Sequence, residues 1–228
     1  MKKLLILGAC LCFAYSAYAQ TLGRCQYRAE DTYNVNGTRI LLSTDQPVNG
    51  MVCTYALLNG NLIMEVPYKE GKVEGIARYY SDGKLYSEMP FINGVLDGVN
   101  RFYYSSGKLA EEATFKNFQL EGIQKVYNEN GRLESETTYK NGKEEGIKKT
   151  YYDSGRLASE IPYKNDKREG YYQVYTESGR LQMKILYSNG EPVSGECGDG
   201  RVLTNAELIN WQNGHTVSCT PRNTGIGD

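Results

Sequence analysis

Residues with the chemistry for catalysis are few in this chain. The single histidine, His215, sits in a Gly-His-Thr stretch close to Cys219. One histidine cannot build a multi-histidine metal site, and no serine or cysteine nucleophile motif accompanies it. Carboxylate pairs such as Glu111-Glu112 and Glu144-Glu145 fall at positions of a repeating pattern or in turns, which is poor ground for acid–base chemistry. The 25 glycines recur at a fixed period rather than gathering into a phosphate-binding loop. The expectation is therefore a protein that is not an enzyme, with no catalytic residue, no cofactor and no bound metal.

The elements behind this pattern follow from a period of about 24 residues. Gly60, Gly83, Gly107, Gly131, Gly155 and Gly179 each stand two residues before a leucine: Leu62, Leu85, Leu109, Leu133, Leu157 and Leu181. Eight residues after each glycine comes an aromatic: Tyr68, Phe91, Phe115, Tyr139, Tyr163 and Tyr187. A closing glycine ends each unit, from Gly75 through Gly98, Gly122, Gly146 and Gly170 to Gly195. A period in this range means stacked supersecondary units, which offer long surfaces and seldom enclose catalytic pockets.

Each unit reads as a β-hairpin. From Gly146, a run rich in β-branched and aromatic residues reaches the turn Asp153-Ser154-Gly155, and a strictly alternating run follows to a second turn at Lys164-Asn165-Asp166. Leu157, Ser159, Ile161 and Tyr163 share one face; Arg156, Ala158, Glu160 and Pro162 share the other. Pro67, Pro90 and Pro162 precede the closing aromatic, where sheet pairing should stop or loosen because proline has no N–H to donate. The fold class expected is all-β: an elongated single-layer antiparallel sheet of tandem hairpins. Twelve strands would make it roughly 55–60 Å long.

The ends differ from the repeats. Lys2 and Lys3, an apolar run from Leu4 to Tyr15 and Ala17-Tyr18-Ala19 compose an export signal over residues 1–19, so the mature chain begins at Gln20. A lipoprotein signal with Cys10 lipidated is the weaker alternative, because little apolar chain precedes that cysteine. Without Lys2 and Lys3, 24 cations face 27 acids, a balance that argues against nucleic acid as a partner and gives no charge-based reason for membrane or cell-wall contact. Four cysteines remain. Several stacked units separate Cys25 and Cys53 from Cys197 and Cys219, so the pairs expected are Cys25–Cys53 and Cys197–Cys219. Residues 20–50 hold a degenerate first repeat or cap, 51–195 six repeats, 196–219 a disulfide-linked cap and 220–228 a loose tail. Thr204-Asn205-Ala206-Glu207 has capping-box spacing, with Leu203 and Leu208 as a hydrophobic staple, and predicts a short helix from about Asn205 to Gln212.

The runs Tyr151-Tyr152-Asp153-Ser154-Gly155-Arg156-Leu157 and Tyr163-Lys164-Asn165, closing on Glu169-Gly170, resemble MORN repeats, as does Asn141-Gly142-Lys143-Glu144-Glu145-Gly146. They look closest to the bacterial variant form known as a YwqK-type antitoxin family, over about Gly50 to Gly195. The resemblance implies a single-layer hairpin ribbon serving protein contact, scaffolding or lipid association, without shared catalytic residues. Its antitoxin branch implies a toxin partner, which an export signal would move outside the cytoplasm.

Two rows remain to be explained. Tyr79, Tyr103, Tyr127, Tyr151 and Tyr175 stand four residues before the turn glycines and should form a ladder beside the leucines and closing aromatics, as core or as a partner-binding row. Lys84, Lys108, Arg132, Arg156 and Arg180 form a cationic row; Glu65, Glu88, Glu112, Glu136 and Glu160 form an acidic one, and the two should neutralise each other. The functional expectation is an exported interaction module, monomeric, binding an unidentified protein in the periplasm, at the cell surface or in the medium. The alternatives are immunity against an exported toxin and a structural envelope component that binds peptidoglycan or lipid.

Overall fold

The structure, a computed structural model, describes residues 25–219; the stretch expected to be an export signal, Cys10 and the tail from 220 lie outside the described residues. The chain divides into an N-terminal unit ending at Gly98 and a C-terminal unit starting at Val99. Both are built from hairpins.

The N-terminal unit contains β1 (Tyr27–Arg28), β2 (Thr32–Val35), β3 (Thr38–Leu41), β4 (Gly50–Tyr55), β5 (Leu62–Lys69), β6 (Lys72–Val73), β7 (Gly75–Ser81), β8 (Lys84–Ile92) and β9 (Val95–Leu96). The hairpins β4–β5 and β7–β8 are antiparallel, while β1 joins the outer edge of β4 in parallel and β2 pairs with β3. Cys25–Cys53 ties the start of the described chain to β4. The β2–β3 hairpin caps the second-turn edge: Val48 N donates to Arg39 O, and Gly71 N to Val48 O, both at 2.9 Å.

Beginning at Gly98, β10 (Gly98–Tyr103) leads into the C-terminal unit. There follow β11 (Leu109–Lys116), β12 (Gln119–Tyr127), β13 (Leu133–Lys140), β14 (Lys143–Glu144), β15 (Gly146–Tyr151), β16 (Leu157–Lys164), β17 (Lys167–Arg168), β18 (Gly170–Tyr175), β19 (Leu181–Ser188) and β20 (Glu191–Cys197). Neighbours in sequence are neighbours in the sheet, all antiparallel. The hairpin runs expected around Gly155 appear as β15 and β16. Proline is no stop: Pro162 sits inside β16 opposite Ile147 of β15. The pairing loosens only on the other side, where a break at Glu169 separates β17 from β18 and leaves its N–H on Pro162 O at 3.0 Å. The same break at Glu145 faces Thr138, so proline tolerates the interruption and does not cause it.

Successive second turns are stitched to one another. The Glu before a closing glycine accepts from a turn N–H one unit later: Glu121 from Asn141 at 2.8 Å, Glu145 from Asn165 at 2.9 Å, Glu169 from Asn189 at 2.7 Å. Each turn thereby satisfies a backbone group that would otherwise face solvent. Asn141, Asn165 and Asn189 have positive φ, the left-handed conformation that asparagine tolerates.

The last hairpin is closed by helix α1 (Asn205–Gln212). Thr204 Oγ1 accepts from Glu207 N while Glu207 takes the Thr204 N–H, the reciprocal box read from the sequence. Leu203 and Leu208 are buried with Met183, Ile185, Tyr187 and Cys197, the principal buried cluster of this unit. The Trp211 ring lies 5.5 Å from Tyr172, and its Nε1 donates to Tyr187 Oη at 2.9 Å. Cys197–Cys219 fastens the cap.

Candidate interaction surface

Strand alternation gives the C-terminal unit two unlike faces. On β13, Leu133, Ser135, Thr137 and Tyr139 share one side, and Glu134, Glu136, Thr138 and Lys140 share the other. The first, inner side is closed: Ala113, Thr137, Ser159 and Ile161 are all below a tenth exposed. Small and polar residues fill much of it, and Thr150 and Ser159 hydroxyls bond each other across β15 and β16 at 2.7 Å. The outer side is open. Ile123, Ile147 and Tyr171 are 49%, 48% and 51% exposed, and they face Thr138, Pro162 and Leu186 across their hairpins. Isoleucine or tyrosine follows each of Gly122, Gly146 and Gly170, so the stripe recurs once per unit.

Beside this stripe runs a charged ladder. Lys125 pairs with Glu136 at 3.9 Å, Lys149 with Glu160 at 3.8 Å, Arg101 with Glu112 at 3.8 Å and Lys184 with Glu196 at 2.7 Å. Lys184 Nζ also sits 5.3 Å from the Tyr171 ring centroid. Glu112, Glu136 and Glu160 of the acidic row are therefore neutralised by cations across their hairpins. The cationic row expected to do so has another role: Lys108, Arg132 and Arg156 reach forward to the carbonyls of Glu129, Asp153 and Glu177, at 2.9, 2.7 and 2.8 Å, stitching one hairpin turn to the next. These side chains point along the turn edge, beyond the reach of the glutamates.

The tyrosine row lies on the charged outer face, which corrects the expected place beside the leucines. Tyr127, Tyr151 and Tyr175 donate to Glu112, Glu136 and Glu160 at 3.3, 2.8 and 3.3 Å. Alternation along β12 puts Tyr127 on the side of Ile123 and Lys125; the residue skipped at the bulge is Glu134 of β13, so Leu133 stands opposite Tyr127 although it belongs to the inner side. Burial first, then the Glu136 hydrogen bond, pushes the Tyr151 hydroxyl up to about 12. Tyr103 ends β10 and is half-buried. Tyr79 does not belong to the row. It faces Met64 and buried Ser87, and Tyr80 is the one that donates to the acidic row, to Glu65 at 2.8 Å. The β7–β8 turn is one residue shorter than its counterparts, with Tyr80 opposite Leu85, so the spacing from Gly83 points at the wrong neighbour. Counting fifteen residues on from Glu65, Glu88, Glu112, Glu136 and Glu160 gives Tyr80, Tyr103, Tyr127, Tyr151 and Tyr175.

Elsewhere the chemistry is sparse. Cys25 and Cys53 adjoin the buried Glu65 carboxylate, but their sulfurs are bonded to each other and offer no thiolate. A hollow of about 680 Å³ in the N-terminal unit is lined by Arg28, Tyr55, Leu57 and Ile63; Arg28 stacks 5.3 Å over Tyr55 and pairs with Glu30 at 3.6 Å. His215 is exposed, and its backbone N–H caps Asn210 O at 2.9 Å.

Comparison with known proteins agrees with the hairpin repeat. The family model described as "MORN repeat variant" matches residues 73–93, 96–117, 120–141, 144–165 and 168–189. The hairpin β4–β5 precedes these matches with the same bulged register, Thr54 opposite Met64 and Tyr55 opposite Leu62. No curated protein matches the chain. Among solved structures, one described as "Crystal Structure of TarM" aligns at 12% identity and a TM-score of 0.31, over 57% of this chain and 24% of that one. Another, "Crystal structure of GtfA/B complex bound to UDP and GlcNAc", aligns at 14% identity and a TM-score of 0.22, over 50% and 22%. This chain thus spans under a quarter of the length of each. With five units matched in tandem and the hairpin of each unit in place, the chain belongs to the MORN repeat variant family.

Proposed function

We propose that this is an exported, monomeric, non-catalytic repeat protein that binds a protein partner across the outer face of its C-terminal unit. The observation that carries this reading is the row Ile123, Ile147 and Tyr171, each about half exposed and each placed once per repeat. Apolar side chains in a regular exposed row, rimmed by neutralised charge and tyrosine, have the make-up of a protein-binding surface. The tyrosine row contributes ring surface there while its hydroxyls stay committed to glutamates. Two disulfides favour an oxidising compartment, so the partner belongs to the envelope or the medium.

The test is affinity capture from the envelope and medium with the disulfide-intact chain. The comparison bait carries Ile123→Ser, Ile147→Ser and Tyr171→Ser and is checked by circular dichroism. A protein held by the first bait and released by the second supports the reading; equal retention by both overturns it. The antitoxin-like form of this function is neutralisation of an exported toxin. Its check is survival of a deletion strain beside a toxin-bearing sibling, and unaffected survival removes it. Sedimentation with cell walls or liposomes in place of capture would favour an envelope role.

A further inference from the structure

Net charge is near zero for the whole chain, but the outer face of the C-terminal unit sorts its charges into rows. Alternation carries Lys140 to the same side as Thr138 and Glu136, and Lys164 to the same side as Pro162 and Glu160. At the base of the second turns Lys140 stands directly opposite Lys143, and Lys164 directly opposite Lys167. Lys116 takes the equivalent place one unit earlier, opposite Gln119. All five lysines are exposed, and among the described residues no carboxylate lies within ion-pair distance of any of them.

Like charges directly opposite in an antiparallel pair are locally unfavourable. The acids of this edge do not relieve them. Glu121 and Glu145 are turned back onto the N–H groups of Asn141 and Asn165, Asp166 accepts from Glu144 N, and Glu144 pairs with Lys148. The result is an apolar stripe, Ile123, Ile147 and Tyr171, bordered on one side by unneutralised lysines and on the other by a self-neutralised Lys–Glu ladder.

Resting on the reading that this face binds a partner, we infer that the partner presents an acidic protein segment bearing apolar side chains, its carboxylates over the lysine pairs and its apolar groups on the stripe. Charge complementarity selects the acid. The width of the stripe selects a segment over an anionic bilayer. Glu136 and Glu160 lie two residues along the strand from Thr138 and Pro162, roughly 7 Å away. A flat anionic surface would have to approach those carboxylates, whereas a single extended segment need not.

The probe is a short fluorescent peptide of glutamate and valine, broken by a proline to keep it monomeric, with lysine–valine and glutamate–serine counterparts. Binding to the full disulfide-bonded chain is read by anisotropy. The glutamate–valine peptide is expected to bind, to weaken as salt rises and to outcompete both counterparts. Reversing the row with K140E, K143E, K164E and K167E is expected to cost about tenfold or more and to transfer preference to the lysine–valine peptide. That gain of binding cannot come from misfolding. Glutamate–valine binding that survives the reversal overturns the inference, as does binding to phosphatidylglycerol vesicles with the same variant dependence and no peptide binding. If the captured partner is lost with the Ile123, Ile147 and Tyr171 variant but keeps its affinity for the charge-reversed chain, the face stands and the acidic partner falls. If it survives both, the face itself is wrong.

Discussion

Opening Cys197–Cys219 is the perturbation that the structure makes easiest to read. The two cysteines are 22 residues apart in sequence, and the bond holds α1 and the chain beyond it over the last hairpin. Closing a loop of that length removes chain entropy from the unfolded state worth about 3.4 kcal/mol at room temperature. Trp211 is the sole tryptophan and lies in the cap itself, on Tyr172 and Tyr187, so its fluorescence reports this contact alone. With a urea slope of about 2 kcal/mol/M, Cys197→Ser with Cys219→Ser should move the Trp211 transition down by about 1.7 M. Cys25→Ser with Cys53→Ser should leave that transition in place, because repeat arrays couple through nearest neighbours. A shift below about 0.3 M in the first variant would show that Leu203, Leu208 and Trp211 hold the cap without the bond, and the reasoning would fail.

Three further outcomes are expected. Glu207 is held down to about 2, chiefly by the Thr204 backbone N–H and then by Arg201. Its folded value lies below its ordinary 4.5, so its support of α1 is whole above pH 4.5 and lost as pH falls toward 2; Glu207→Gln should flatten the acid limb of the Trp211 signal. Tyr151 runs the other way. Its folded value is raised from 10.0 to about 12, so its contribution is whole below pH 10 and lost as pH rises toward 12; Tyr151→Phe should remove one late component of the ultraviolet phenolate titration, and Glu136→Gln should move that component earlier. Gly198 lies against the Leu181 carbonyl with no room for a Cβ, whereas Gly155 has open space and a φ of +79°. Gly155→Ala should cost about 1–2 kcal/mol through its left-handed backbone, and Gly198→Ala should cost more in urea unfolding.

Much of the fold was legible because its causes are local. Alternation in Leu157–Tyr163, glycines at turn positions and the Thr204–Glu207 box each act within a few residues, and each element stands where it was read. The disulfide pairing was legible because a one-dimensional stack makes sequence distance a guide to spatial distance. The candidate surface was less legible. The tyrosine spacing named Tyr79 where Tyr80 carries the role, because a turn shortened by one residue is invisible to alignment on its glycine. The glutamate row was matched to the wrong cations because strand pairing, and not row spacing, brings Lys125 to Glu136 and Lys149 to Glu160.

What the chain determined alone is therefore its repeating unit. Period, turn residues and strand alternation are properties of short segments, and short segments carry their own preferences. Only tertiary structure decided which face each row occupies. A bulge that skips Glu134 sets Leu133 opposite Tyr127, and a register between strands fixes which charge meets which. The inner side could be read from its leucines, although Thr137 and Ser159 are buried there with them. That the outer side would carry Ile123, Ile147 and Tyr171 in one exposed line, with Lys125 against Glu136 and Lys149 against Glu160 beside it, depends on strand positions more than ten residues apart in sequence that meet only in the sheet.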